Sequence, residues 1–102
     1  MDEKQLKRLT GLLNSETTAV LTMELQNGVV GTGALMKALV DEVERVGVRS
    51  TAGRLCESAR ERGIQVVHCV AENRADGRGA IDNCKVFAMN NRLRRETGST
   101  PI

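Results

Sequence analysis

The sequence of 102 residues contains no Trp, no Tyr and a single Phe, so aromatic side chains add little to any core. It has no apolar run long enough to cross a bilayer, and its first residues are polar rather than the hydrophobic stretch of a secretion signal. These absences argue against a membrane partner and predict one small domain located in the cytoplasm.

Strong charge of either sign is also missing, since the net charge is only +2. The basic excess lies near the C-terminus, where Arg92, Arg94 and Arg95 fall within four positions. No aromatic residues interleave these arginines, as they do in many nucleic-acid binders. A solvated helix face explains them more simply, and we expect no nucleic-acid partner.

The three cysteines, Cys56, Cys69 and Cys84, contain no C-x-x-C pair and are predicted to be reduced thiols. His68 precedes Cys69 in an apolar run that reads as a strand. Neighbouring strand residues point to opposite faces, so these two side chains are not expected to share a site. The sequence offers no convincing set of four zinc ligands, and we expect neither a metal nor a cofactor.

Apolar spacing predicts the first elements of the chain. Leu6, Leu9 and Leu13 predict an amphipathic helix over residues 3–13. Residues 18–23 form a continuous apolar and β-prone run, which is typical of a strand buried on both faces of a parallel sheet. Glu24 ends this run as a polar corner.

The next segment is rich in glycine, with Gly28, Gly31 and Gly33, and is predicted to be a flexible loop. Its G-x-x-G-x-G order differs from the dinucleotide pattern G-x-G-x-x-G, and no Walker lysine follows. Phosphate binding is therefore not expected here.

Two helices and a second strand follow. Residues 34–46 carry one apolar stripe and are predicted to form a helix that ends at Gly47. Ser50 or Thr51 is predicted to cap a second helix that runs to about residue 62 and ends at Gly63. In the second helix Leu55, Cys56 and Ala59 are expected to face inward. Residues 64–70 are predicted to form the second strand. The apolar stripe of the first helix consists of Leu35, Met36, Leu39, Val40, Val43 and Val46.

The remaining chain is predicted to contain a turn-rich loop over residues 75–79 and a helix over residues 80–96. The final residues, 97–102, have the composition of a linker or loop. Ile81, Cys84, Phe87 and Ala88 are expected to face inward from the last helix.

Two strands joined by helices require a parallel crossover, so residues 19–70 are predicted to form a β-strand, helical crossover, β-strand unit. Ligands bind at the carboxyl ends of such strands. Glu24, Gln26 and Asn27 follow the first strand at this edge, so any functional chemistry is expected there, with Gln26 and Asn27 as candidates for substrate binding.

Two strands are too few for a stable parallel sheet, which needs neighbouring strands and helices on both faces. The chain is therefore expected either to associate with another chain, as a homo-oligomer, or to be the first part of a longer domain.

Two blocks of the sequence resemble the isochorismatase-like cysteine hydrolases. The run A-V-L-T-M-E-L-Q-N-G over residues 19–28 resembles the family's opening strand, which ends in Asp-x-Gln-x. The helix of residues 52–62 followed by G-I-Q-V-V-H over residues 63–68 resembles its next landmark, an Ala-Arg-x-x-Gly-type turn before a Val-Val-His strand.

The resemblance implies that residues 1–102 are the N-terminal part of a single hydrolase domain, a three-layer α/β sandwich with a mostly parallel sheet. It implies hydrolysis of amide or vinyl-ether bonds in a small-molecule substrate by an Asp, a Lys and a nucleophilic Cys. Glu24 corresponds to the Asp and is one methylene longer. The Lys and Cys are expected beyond Ile102, and their roles are not transferred to Lys85 and Cys84.

Two alternatives stay open. The chain could instead be a small non-catalytic α/β interaction module that completes its sheet by association. Glu24 could instead merely cap a helix or pair with a nearby cation.

Overall fold

The computed structural model describes residues 1–97, and within them the protein is a mixed α/β chain with a two-stranded parallel sheet and five helices. None of these helices is long and apolar enough to span a bilayer. In chain order the elements are α1 (Glu3–Leu12), β1 (Ala19–Met23), α2 (Asn27–Val30), α3 (Lys37–Val46), α4 (Val48–Glu61), β2 (Gln65–Cys69) and α5 (Lys85–Thr97).

The sheet confirms the predicted crossover unit. β1 and β2 are parallel, with Ala19 opposite Gln65 and Met23 opposite Cys69. The ladder extends one residue further, because the backbone N–H of Glu24 donates to the carbonyl oxygen of Cys69 at 2.8 Å. Both strands therefore end at the same edge.

Within residues 1–97, one face of the sheet is covered by a helix and the other face is not. α4 lies over the face that carries Thr22 and His68, and its Cys56 and Ala59 are buried. On the other face Leu21 is 55% exposed and Met23 is 65% exposed. The predicted burial of β1 on both faces is thus wrong for residues 1–97, since this part of the chain supplies no second layer.

A second small core lies between α2 and α3, where Val30 and Val43 are buried. α2 lies at the start of the segment that was predicted to be a flexible loop because it contains Gly28, Gly31 and Gly33. Its single turn is closed by hydrogen bonds from Val30 and Gly31 to the carbonyl oxygens of Gln26 and Asn27. The loop prediction is therefore wrong at residues 28–30.

The boundary between α3 and α4 is Gly47, which adopts a left-handed conformation (φ +69°). It ends α3 as predicted and also begins α4, so the helix starts before Ser50 and Thr51, and neither residue caps it. Ser50 instead donates from Oγ to the carbonyl oxygen of Gly47 at 3.2 Å. Leu55 lies on the outer side of α4 and is 57% exposed, contrary to the inward position predicted for it.

The last helix is shorter than predicted, beginning at Lys85 rather than at residue 80. Its predicted inward residues, together with Ile81 in the preceding loop, are exposed instead, because this region borders an open cleft rather than a second layer. Those residues are Ile81, Cys84, Phe87 and Ala88. Thr97 ends α5, and the rest of the predicted linker over residues 97–102 lies outside the described residues.

α1 is confirmed as a helix, and its N-terminus is closed by a reciprocal pair of hydrogen bonds. Asp2 Oδ1 accepts from the backbone N–H of Gln5 at 2.7 Å, and Gln5 Oε1 accepts from that of Asp2 at 3.1 Å. No residue of α1 is buried, so this helix depends on its own local bonds.

Replacement of Gly47 by Ala should lower the free energy of unfolding by about 1 kcal/mol, because a side chain at positive φ is strained. Gly53→Ala is the matched control: Gly53 lies within α4 with no atom within 4 Å of a built Cβ. That change should raise the same quantity by up to about 1 kcal/mol through helix propensity. Urea unfolding followed by circular dichroism measures both, and a stabilising Gly47→Ala would contradict the argument.

Candidate functional site

The carboxyl ends of the two strands are held together by the side chain of Gln26. Its Nε2–H donates to the carbonyl oxygen of Ala71 at 2.7 Å, and its Oε1 accepts from the backbone N–H of Ala71 at 2.8 Å. The amide thus extends the parallel ladder beyond β1 and β2. Gln26, 8% exposed, is the single buried polar side chain within residues 1–97.

Glu24 lies two residues earlier and is the one non-glycine residue of the described part with positive φ, at +56°. This left-handed conformation costs an ordinary residue about 1–2 kcal/mol. Its backbone N–H still belongs to the ladder, through the bond to Cys69. The chain therefore turns sharply at Glu24, and its exposed side chain lines the cleft beyond the strands.

That cleft has a volume of about 460 Å³, within the range of small-molecule sites. Its walls come from the ends of the strands, from α2, α3 and the residues before α3, from the loop before α5, and from α5 itself. The polar lining includes Glu24, Gln26, Glu72, Asn73, Asn90 and Arg94. The apolar lining includes Leu35, Met36, Leu39, Ile81, Val86 and Phe87.

Two of the three predicted site residues line this cleft. Glu24 and Gln26 do, whereas Asn27 is turned toward its own loop, with Oδ1 3.5 Å from both Thr32 Oγ1 and the backbone N of Gly33. A Cβ built on Gly31 would lie 2.2 Å from that oxygen and 2.9 Å from the Cα atom of Asn27, so a larger residue would require the backbone to shift. Substrate binding by Asn27 stays a prediction.

The loop that carries one wall is shaped by an ion pair between Arg74 and Asp76. Arg74 donates from Nε and Nη2 to the two carboxylate oxygens, at 3.0 Å and 2.7 Å. This guanidinium, followed by the backbone N–H of Arg78, lowers the pKa of Asp76 below its ordinary value. This exposed bidentate pair bridges two residues of the turn that leads into Gly79, a cleft residue.

α5 adds three polar residues that were not predicted to belong to this site: Asn90, Asn91 and Arg94. Arg94 was assigned from sequence to a solvated helix face, and instead it lines the cleft. Asn91 Nδ2 donates to the carbonyl oxygen of Ile81 at 2.9 Å, and its Oδ1 accepts from Arg94 Nη2. The signal that could have found them is the spacing of Asn90 and Arg94, which places both on one helix face.

His68 lies away from this cleft, on the face covered by α4. Arg60 Nη2 lies 3.4 Å from His68 Nε2, and a guanidinium can only donate, so Nε2 accepts. The ring proton is then on Nδ1, which donates to Thr22 Oγ1 at 2.7 Å. Both ring nitrogens are thus engaged in joining α4 to the two strands.

Within residues 1–97, no three or more His, Cys, Asp or Glu side chains lie close enough together to hold a metal ion. All three cysteines fall in that range and none is bonded to another; Cys56 is buried and Cys84 is exposed. In this same part of the chain, neither a cysteine nor a lysine lines the cleft.

No known protein family, curated protein or solved structure matches this chain.

The cleft therefore contains a carboxylate at the strand ends, a guanidinium on α5, and an apolar lining that includes Leu39 and Phe87. Glu24 can accept or donate a proton, and Arg94 can bind an anion. This combination suits a small molecule with both an apolar part and polar groups.

Gln26→Ala should lower the free energy of unfolding by about 1–3 kcal/mol, because it leaves both backbone groups of Ala71 without their partner. Gln65→Ala is the control, since Gln65 is an exposed glutamine at the start of β2. It should change stability by no more than about 0.5 kcal/mol. Urea unfolding measures the stability of both variants. Equal losses of unfolding free energy would argue against a stabilising role for the two Gln26–Ala71 hydrogen bonds.

Glu24→Gly should raise the free energy of unfolding by about 1 kcal/mol, since it relieves the left-handed strain. Met23→Gly, one residue earlier in extended backbone, should instead lower it by about 0.5–1 kcal/mol. Thermal and urea unfolding give both values. If the two glycines destabilise the chain equally, Glu24 stores no strain.

Proposed function

We propose that this chain forms the N-terminal half of an isochorismatase-like hydrolase domain, which cleaves amide or vinyl-ether bonds of small molecules in the cytoplasm. The observation that carries the proposal is the position of Glu24. It ends the first strand of a parallel pair, in a strained conformation, and lines a cleft of small-molecule size. Strain of this kind persists mainly where a side chain must be held for function.

The carboxylate of Glu24 is available for proton transfer. It is exposed, and within residues 1–97 it forms neither an ion pair nor a side-chain hydrogen bond. This favours a chemical role over the alternatives in which Glu24 caps a helix or pairs with a cation. In the proposed mechanism the carboxylate of Glu24 accepts the proton of the cysteine thiol, and the thiolate attacks the carbonyl carbon of an amide. The C–N bond then breaks, the amine leaves with that proton, and water hydrolyses the resulting thioester to release the acid and regenerate the thiol.

The partners of Glu24 in that mechanism are a lysine and a cysteine supplied by sequence beyond Ile102. A thiolate needs a nearby cation or base to form at neutral pH. Because the cleft of the described part contains neither a lysine nor a cysteine, we propose that the 102-residue chain is inactive alone.

The uncovered sheet face supports the three-layer architecture in this proposal. Leu21 and Val67 are opposite each other on that face, and both are exposed. Parallel sheets are normally covered by helices on both sides. A second helical layer and further strands would bury these side chains.

The coding sequence beyond Ile102 gives the first test. A downstream strand followed by a lysine, and a later cysteine, would support the proposal; a stop codon directly after Ile102 would contradict it. Release of ammonia from a panel of small amides should be absent for the 102-residue chain, and robust turnover by it would refute the claim of inactivity.

In the extended protein, Glu24→Gln should lower kcat by about a hundredfold or more, because it removes the proton-transfer group while keeping the shape of the side chain. Glu57→Gln is the matched control, since Glu57 is exposed on α4. It should leave kcat within about twofold of the original, as surface changes away from a site usually do. Equal rates for the two variants would exclude Glu24 from catalysis.

A second candidate function is a non-catalytic module that completes its sheet by homo-oligomerisation. The radius of gyration, 17.7 Å, favours it, since a compact chain of this size has about 13 Å. The exposed leucines of α1 and the open face of β1 would be buried on association. Light scattering of the 102-residue chain discriminates: a stable, well-folded monomer argues against this function.

A further inference from the structure

One end of the cleft holds a guanidinium in a fixed orientation. The side-chain amide of Asn91 is anchored at its nitrogen end by the carbonyl oxygen of Ile81, at 2.9 Å. Its oxygen end must then face α5, where it accepts from Arg94 Nη2. Asn91 thus limits the rotamers of Arg94, which lowers the entropy that Arg94 would lose on binding a ligand.

Arg94 keeps most of its hydrogen-bonding capacity unused. A guanidinium has five N–H donors, and the bond to Asn91 is the one that Arg94 makes among residues 1–97. No carboxylate of that part of the chain pairs with it. Arg94 is also partly buried against the cleft, whereas Arg92 and Arg95 are exposed.

A second polar group lies one turn away on the same helix face. Asn90 lines the cleft, and its Oδ1 is buried and has no hydrogen-bond partner within the described residues. A buried acceptor without a partner is costly, and native structures usually satisfy it. What it requires is an N–H or O–H donor. Arg94 can therefore bind an anion, and Asn90 can accept a hydrogen bond from an N–H or O–H group next to that anion.

We propose that Arg94 and Asn90 form a recognition subsite for a small carboxylate whose neighbouring N–H or O–H group donates to Asn90, with Asn91 as a positioning residue for Arg94. The acidic side chains of the cleft, Glu24 and Glu72, follow the strands rather than α5. Their charge repels a carboxylate, so the ligand places its anionic end at α5. The apolar lining, including Phe87, receives the hydrocarbon part.

This subsite narrows the substrate class of the proposed hydrolase, and in that respect it rests on the proposed function: the substrate is an anionic amide rather than a neutral one. In this orientation the uncharged end of the substrate points toward Glu24. Carboxylate binding itself requires neither the lysine nor the cysteine of the hydrolase mechanism.

The test is a titration of the ¹⁵N-labelled 102-residue chain, followed by amide chemical shifts, with three related probes. N-benzoylglycinate has the carboxylate and the N–H group. N-benzoylglycinamide lacks the charge, and N-benzoyl-N-methylglycinate lacks the donor. We expect N-benzoylglycinate to bind about ten- to a hundredfold more tightly than the neutral amide, and several-fold more tightly than the N-methyl compound.

Arg94→Gln should remove the preference for the carboxylate over the neutral amide. Arg94→Lys should keep only part of that preference, because lysine retains the charge but cannot make the two parallel hydrogen bonds of a planar guanidinium. Arg95→Gln removes the same charge from an exposed position of the same helix and should keep the preference. Asn90→Leu should abolish the difference between N-benzoylglycinate and its N-methyl analogue. Asn91→Ala should weaken carboxylate binding without changing that difference.

Equal binding of the carboxylate and the neutral amide, or no binding of any probe, would overturn the proposal. It would also be overturned if Arg95→Gln reduced the preference as much as Arg94→Gln. Failure of the hydrolase proposal is distinguishable, because Glu24→Gln keeps the carboxylate preference and the sequence beyond Ile102 is read separately. Circular dichroism of each variant verifies that it is folded.

Discussion

One buried amide holds the carboxyl ends of the two strands together, and the geometry of the cleft depends on it. The side chain of Gln26 makes both a donor and an acceptor bond to the backbone of Ala71, so it substitutes for the next rung of the parallel ladder. This fixes the chain on both sides of Glu24, which is pinned before by the β1 ladder and after by Gln26. The left-handed backbone at Glu24 can persist because its neighbours have no freedom to relax it.

Local signals carried the parts of the fold that were predicted correctly. Gly47 and Gly63 end helices in left-handed conformations that only glycine adopts at little cost, so their positions were readable from the chain. The two β-prone runs paired in parallel because the segment between them is helical and crosses over. The placement of Glu24 at a strand end follows from the same pattern, since a polar residue closes an apolar run.

The parts that were wrong depended on contacts between distant segments. An apolar stripe shows which face of an element favours burial, but not whether a covering layer lies in the same stretch of chain. Leu21, Leu55 and Phe87 are exposed for that reason. Ser50 and Thr51 are residue types that commonly cap helices, but Gly47 is both the C-cap of α3 and the N-cap of α4. The orientation of Arg94 could not be read from sequence because it depends on the carbonyl group of Ile81, across a loop.

The capping box of α1 has a consequence for how the protein opens. This helix has ten residues, closes its own N-terminus, and buries none of its side chains. A helix of that length is marginal without tertiary support, so it frays and re-forms independently of the sheet. Its amide hydrogens therefore exchange with solvent by local opening, while those of β1 and β2 exchange only when the parallel pair separates. Within residues 1–97, α1 therefore opens at a lower free-energy cost than the sheet, and its helical signal is lost before that of α4, which packs on β2.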